Sequence, residues 1–323
     1  MRYVCRQWYN IINGPLFIEE HLRCSTAGLF IQYYMPPHTP HFVELGKMNA
    51  TVTEVSFPFP KMVLATCDGL VMFWDRRDRT IHVVNPLTKQ KVTVPKFRSR
   101  LNNLYFSLAR AHSTKEYKVV CTYGYGKGLD CSIVTLGKDL AWKQTSQNLS
   151  ESCGSVFWTP PISTGGFLYW DLYWNPRFLA LDVESEMFYE FHCPAVQTKD
   201  NQVCYVARER YISCLVLLEP RTLLDVWELS NPMTGEWSKL YKIDLDVQKC
   251  RLRNLFKRLY FFKPIAWVNN GDVVVFCVYC EQGSYLAHNV KTGETFTLGI
   301  CFMNDDVYYC RDYAYSLVSL TPA

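Results

Sequence analysis

Few side chains in this 323-residue sequence stand at spacings that chemistry needs. Cys277 and Cys280 have the two-residue gap of a zinc half-site, but the apolar run Val273 to Tyr279 reads as a strand. On a strand, positions three apart point to opposite faces, so the two thiols do not converge on one ion. His38 and His41 lie in the Pro-rich stretch Pro36-Pro37-His38-Thr39-Pro40, and the other five histidines are scattered, which leaves no ligand set for copper or zinc. Asp305-Asp306 reads as a solvated turn rather than an acid/base pair. Neither a Gly-x-Ser-x-Gly elbow nor a His-Glu-x-x-His helix occurs. The Gly- and Tyr-rich stretch Thr122 to Gly128 has no helix after it to aim N–H groups at a phosphate, so it is a hairpin tip or a contact loop. No catalytic residue, metal or cofactor is expected, and the chain reads as a non-enzyme.

A basic, aromatic segment offers a second chemistry. Lys249, Arg251, Arg253, Lys257 and Arg258 alternate with Phe256, Tyr260, Phe261 and Phe262, a pattern that can bind nucleic acid. The formal net charge of +4 is too small for an electrostatic footprint, and the rings suit a strand whose charged neighbours stay solvated. Nucleic acid is therefore not the expected partner. The fourteen cysteines are spread singly, which fits reduced thiols in the cytoplasm or nucleus better than a disulfide framework. Met1 to Arg6 carries charge with no apolar run behind it, so neither a leader nor a membrane span is expected. Asn49-Ala50-Thr51 and Asn148-Leu149-Ser150 match the glycosylation pattern and stay silent without a secretory route.

The elements are mostly strands. The 21 Tyr, 19 Phe and 9 Trp suit pleated, half-buried surfaces, and runs such as Leu70 to Trp74, Tyr117 to Val120, Phe167 to Trp170 and Val273 to Phe276 are strand length. Only the first two dozen residues have helical period: Val4, Cys5, Trp8, Ile11 and Ile12 form one stripe. The stripe stops at Asn13-Gly14-Pro15, where Asn and Gly tolerate a left-handed end, and a second helical segment runs from Leu16 to Leu22.

One turn recurs. An apolar strand runs into Asn or Asp, two variable residues and Thr or Ser, and a second strand leaves: Asn85-Pro86-Leu87-Thr88, Asp182-Val183-Glu184-Ser185, Asn231-Pro232-Met233-Thr234 and Asn289-Val290-Lys291-Thr292. The first side chain caps backbone N–H groups two residues on, and Gly235 or Gly293 supplies positive φ. The first gap is about double the others, and Ser132 to Trp142 sits near its middle as a degenerate copy without the Asn. A unit of about fifty residues is the size of a kelch blade. Six such units fit after residue 24, predicting an all-β, kelch-like propeller of six blades in which Trp142 and Trp237 fill space between units.

Val4-Cys5-Arg6-Gln7-Trp8-Tyr9-Asn10-Ile11-Ile12 followed by Pro15-Leu16-Phe17-Ile18 resembles the end of an F-box. Thr66-Cys67-Asp68-Gly69-Leu70-Val71, Val84-Asn85-Pro86-Leu87-Thr88 with Val94-Pro95, Ser113 to Val120 and Asn231 to Trp237 are similar to the F-box-associated domain of plant proteins. The resemblance implies an F-box remnant over 1–24 and an associated propeller over 25–323. It implies the substrate-recognition subunit of an SCF-type ubiquitin ligase, with a Skp adaptor and cullin held through the F-box and an unknown protein substrate on the propeller. Val4, Cys5, Trp8 and Ile12 become the candidate adaptor-binding residues. Their stripe could equally pack on the propeller. The family's Leu-Pro segment and first helices do not precede Met1, so weakened adaptor binding is expected. The alternative is a propeller that binds nucleic acid or another protein with no ligase role.

Overall fold

A computed structural model of the chain describes residues 5–25, 27–32, 40–45, 50–54, 62–75, 78–97, 104–125, 128–145, 160–171, 177–194, 202–218, 223–245, 261–279, 283–302 and 309–320. The chain starts with two helices, α1 (Arg6–Ile12) and α2 (Pro15–Cys24), followed by β1 (Ala27–Gln32), β2 (Pro40–Leu45) and β3 (Ala50–Glu54). Five four-stranded antiparallel meanders come next. Blade 1 is β4 (Met62–Cys67), β5 (Leu70–Asp75), β6 (Thr80–Asn85) and β7 (Gln90–Thr93); blade 2 is β8 (Leu104–Arg110), β9 (Tyr117–Tyr125), β10 (Gly128–Thr135) and β11 (Lys143–Gln144). Blade 3 is β12 (Ile162–Thr164), β13 (Phe167–Asp171), β14 (Arg177–Asp182) and β15 (Met187–His192); blade 4 is β16 (Gln202–Arg208), β17 (Tyr211–Leu218), β18 (Leu223–Asn231) and β19 (Glu236–Asp244). Blade 5 is β20 (Phe261–Val268), β21 (Val273–Tyr279), β22 (Gly283–Asn289) and β23 (Thr295–Phe302). The last strand, β24 (Tyr309–Ala314), pairs with β1 from Ala27↔Ala314 to Gln32↔Tyr309 and completes blade 6 as β24-β1-β2-β3.

The first strands of the meanders, β4, β8, β12, β16, β20 and β24, each lie against the next in a closed circle. The protein is a six-bladed propeller, as the repeat length predicts. Its core is divided among the junctions. Leu70, Met72 and Ile81 of blade 1 pack with Leu108 and Val119 of blade 2, and Val120 and Ile133 of blade 2 with Trp170 and Leu179 of blade 3. Phe178 and Phe191 of blade 3 meet Ile212 and Leu229 of blade 4. Val226 and Leu224 meet Phe276 of blade 5, Val275 and Ala287 meet Leu29 and Val43 of blade 6, and Phe30 and Phe42 meet Val63 and Val71 of blade 1. A single blade would expose both faces; the neighbours cover them, which is why the units stand only as a ring.

The recurrent turns have the geometry the sequence implies. Asn85 Oδ1 accepts N–H bonds from Leu87 at 2.9 Å and Thr88 at 3.2 Å, Asn231 from Met233 at 2.9 Å and Thr234 at 3.3 Å, and Asn289 from Lys291 at 2.9 Å and Thr292 at 3.1 Å. Asp182 accepts from Glu184 N–H at 2.9 Å and from the Ser185 hydroxyl at 2.7 Å. The degenerate copy joins β10 to β11 and is capped in reverse, Asp139 accepting the Thr135 N–H at 2.7 Å. The fourth residue after each Asn or Asp is left-handed in all four copies: Gly235 and Gly293 as expected, but also Lys89 at φ 60° and Glu186 at φ 59°. The helix stop differs from expectation. Asn13 has φ −91° and Gly14 φ −70°, so neither is left-handed. The stop is made by the Asn13 side chain, whose Nδ2 donates to Tyr9 O at 2.7 Å, and by Pro15 beginning α2.

Candidate functional site

In blades 1 to 5 the turn from first to second strand and the turn from third to fourth strand fall at the same end. Contacts around the ring hold these ends together on one mouth. Thr164 Oγ1 donates to Glu209 O at 2.8 Å, Arg208 Nε to Gly271 O at 3.4 Å, and Tyr117 hydroxyl to Asp68 at 2.9 Å. Three left-handed residues that are not glycine use their side chains across these junctions. Glu186 of blade 3 takes Lys118 and Lys143 of blade 2, both at 2.9 Å, Asp68 of blade 1 takes Tyr117 of blade 2, and Lys115 reaches an N-terminal helix. A glycine would relieve the backbone and lose the bridge.

Helix α2 attaches at this mouth, and α1 packs on α2. On α2, Ile18 packs against the blade 1–blade 2 cluster, while Glu19 pairs with Arg110 and Lys115, each at 3.4 Å. Arg110 lies 3.5 Å from Asp68 and over the Tyr117 ring. Burial raises the Asp68 carboxyl pKa, with Arg110 and the Tyr117 hydrogen bond opposing it. Burial also pushes the Cys67 thiol pKa well up, which disfavours the thiolate. The outer turn of α2 carries a solvent-facing pair, Glu20 with Arg23.

Much of the remaining helical surface is exposed. No residue of α1 or α2 is buried, and Trp8 (52% exposed), Tyr9, Ile11 (54%), Leu16 (84%) and Phe17 stand in solvent within ten residues. Large apolar side chains gathered this densely on a surface make it a candidate interaction site. Of the four predicted adaptor residues, Cys5 and Trp8 are exposed, Ile12 is half-buried, and Val4 lies outside the described residues. Cys5 and Trp8 thus face solvent, while Ile18 and Glu19 contact the propeller. Sequence periodicity missed both because their partners are far away in the chain, although Ile18 sits in the Pro-Leu-Phe-Ile segment already singled out.

Other sequence candidates fall elsewhere. Cys277 is buried in β21, while Cys280, His38, Asp305, Asp306 and the glycosylation triplets' Asn49 and Asn148 lie outside the described residues. So do residues 246–260 with the basic cluster, and nothing is described of the Phe261 and Phe262 side chains. Thr122 to Tyr125 belongs to the β9–β10 hairpin. Trp142 and Trp237 bridge blades as predicted: the Trp142 indole N–H donates to Pro95 O of blade 1's end at 2.7 Å, and that of Trp237 to His192 O of blade 3 at 3.1 Å. Among the described residues no three His, Cys, Asp or Glu side chains cluster as metal ligands, and no helix is long and apolar enough to cross a membrane.

Residues 29–303 match the family model described as F-box associated beta propeller domain. One Arabidopsis thaliana relative named as an F-box protein is 27% identical over 84% of this chain and 73% of its own length. Another F-box protein of the same plant is 23% identical over 90% of this chain and 74% of its own. Among solved structures, a chain of a nidogen/laminin complex is similar at 12% identity and a TM-score of 0.49, covering 90% of this chain and 99% of that one.

Proposed function

We propose that this chain, which belongs to the F-box associated beta propeller domain family, is the substrate-recognition subunit of an SCF-type ubiquitin ligase. In this reading it is non-catalytic and works in the cytoplasm or nucleus. The α1–α2 surface holds a Skp adaptor, which joins the cullin, and the propeller holds the protein to be modified. The carrying observation is the solvent-facing Trp8, Tyr9, Ile11, Leu16 and Phe17 on helices that contact the propeller through Ile18 and Glu19. An apolar helix face with no cover inside the chain fits a groove on another protein, read as anchors three and four residues apart. The helices and the C-terminal end occupy the mouth of tight turns, which favours the opposite mouth for the target.

Immobilised Skp adaptor tests this. The chain, or the chain extended at its N-terminus by a complete F-box, is expected to be retained, and Trp8→Ala with Ile11→Ala to cut retention by about tenfold or more at unchanged thermal stability, as for central anchors of an interface. If neither form is retained, the ligase reading fails.

A further inference from the structure

The chain does not stop where the ring closes. After β24, residues 315–320 leave blade 6 and cross the tight-turn end of blade 1. Ser316 is fully buried, and Val318 and Leu320 enter the blade 1–blade 2 cluster. The path passes Gly69 so closely that a Cβ there would stand 2.4 Å from both Ala314 O and Ser316 Cβ. Asn85 then takes hold: its Oδ1 caps its own turn, and its Nδ2 donates to Ser316 O at 2.9 Å and Val318 O at 2.7 Å. Gln90 finishes the grip, accepting the Leu320 N–H at 2.9 Å and donating to the Ser319 hydroxyl at 3.2 Å.

Asn85 is 0% exposed, and Asp182 shows that a carboxylate serves the cap in the same turn. What an amide adds at 85 is the Nδ2 donor pair, and both donors go to the tail. The tail bears on the ring's one seam. Successive blades are joined by continuous chain, whereas within blade 6 β24 and β1 come from opposite ends of the sequence and are held by strand pairing and by Tyr313 against Phe30 and Phe42. β1 begins at Ala27, directly after α2, so the seam strand also carries the helices.

We propose that residues 315–320 are a latch that holds β24 from the blade 1 side, keeping the β24–β1 seam closed and, through β1, fixing where the helices sit. Amide hydrogen exchange on the full chain reads this, because local opening is reported segment by segment. Asn85→Asp keeps the cap and sets a carboxylate against two tail carbonyls. Asn231→Asp makes the same change in a blade 4 turn whose Asn caps only its own turn. The latch predicts that Asn85→Asp raises exchange of 27–32 and 309–314 by roughly tenfold over Asn231→Asp, while β17 and β18 stay protected. Gln90→Leu, a milder cut that spares the buried Asn, is expected to move the same amides several-fold. Faster exchange of α2 in both variants extends the latch to the helices. Equal behaviour of Asn85→Asp and Asn231→Asp, or unchanged seam amides in Gln90→Leu, overturns the latch; a loosened seam with unchanged α2 overturns its hold on the helices.

Discussion

Trp8 and Trp237 start from the same signal, a tryptophan in an apolar pattern, and end in opposite places. Trp237 stands on β19 beside Phe178 and Tyr205, with its indole N–H on the His192 carbonyl of the preceding blade. Trp8 is 52% exposed on α1. The difference lies in the neighbour. In the ring each unit's apolar face packs on the next unit, whereas the helices lie outside the repeat, and Ile18 of α2 packs on a blade while Trp8 stays in solvent.

The widest separation of the two is in stability. Trp237→Ala is expected to destabilise the propeller by about 3 kcal/mol, from the cavity at the blade 3–blade 4 junction and the orphaned His192 carbonyl. Trp8→Ala should change stability by less than about 0.5 kcal/mol, as surface substitutions do. Denaturant titration of both variants checks this, and a comparable loss for Trp8→Ala would break the contrast.

The same junction also carries a pH signature. Asp171, at the end of β13, has its carboxyl pushed up to about 6 by burial. The native state therefore holds a proton that the unfolded chain gives up near pH 4. Stability from this group is intact below the unfolded pKa and is lost as pH rises through the native pKa, so between about 4 and 6 the ring weakens. Asp171→Asn removes the ionisation and should stabilise the protein by about 2 kcal/mol at pH 8 and by little at pH 4, read as thermal midpoints at the two pH values.

Turn glycines sharpen the comparison inside the ring. A Cβ on Gly235 would meet Phe191 Cβ of blade 3 at 2.4 Å, while one on Gly293 meets nothing within 4 Å, and both residues are left-handed. Gly293→Ala should cost about 1 kcal/mol, the strain alone. Gly235→Ala should cost about twice that or more, because a neighbouring blade stands in the way. Equal losses would mean that the blade 3–blade 4 junction yields freely.

These features were unequally legible in the sequence. The turns could be read because their chemistry is local: an Asn side chain reaches N–H groups two and three residues on, so Asn85, Asn231 and Asn289 announced the blades and their spacing gave the ring. The exposed helix stripe was legible for the same reason. Contacts that join distant parts were not. Arg110 meets Glu19 from 91 residues away, and the Asn85 amide meets Ser316 from 231, with nothing in either neighbourhood to name the partner. The helix stop was misread because Asn13-Gly14 permits a left-handed turn without requiring one, and the Asn13 side chain reaches Tyr9 O instead.

The smallest effect isolates the backbone from every neighbour. Lys89 occupies the turn position held by Gly235 and Gly293, at φ 60°, and its N–H bonds to Asn85 O at 2.9 Å as those glycines bond to Asn231 and Asn289. Among the described residues it joins no ion pair across a junction, unlike Glu186 at the corresponding place in blade 3. Its left-handed conformation costs about 1 kcal/mol relative to glycine, partly offset by the greater freedom glycine has in the unfolded chain. Lys89→Gly should therefore stabilise the ring by about 0.5 kcal/mol, a rise of a degree or two in thermal midpoint for a chain of this size. Glu186→Gly relieves the same strain but removes the bridge to Lys118 and Lys143, and is expected to destabilise. Opposite signs at two equivalent turns would show that a blade position is governed first by what the adjacent blade presents to it and only then by its own backbone.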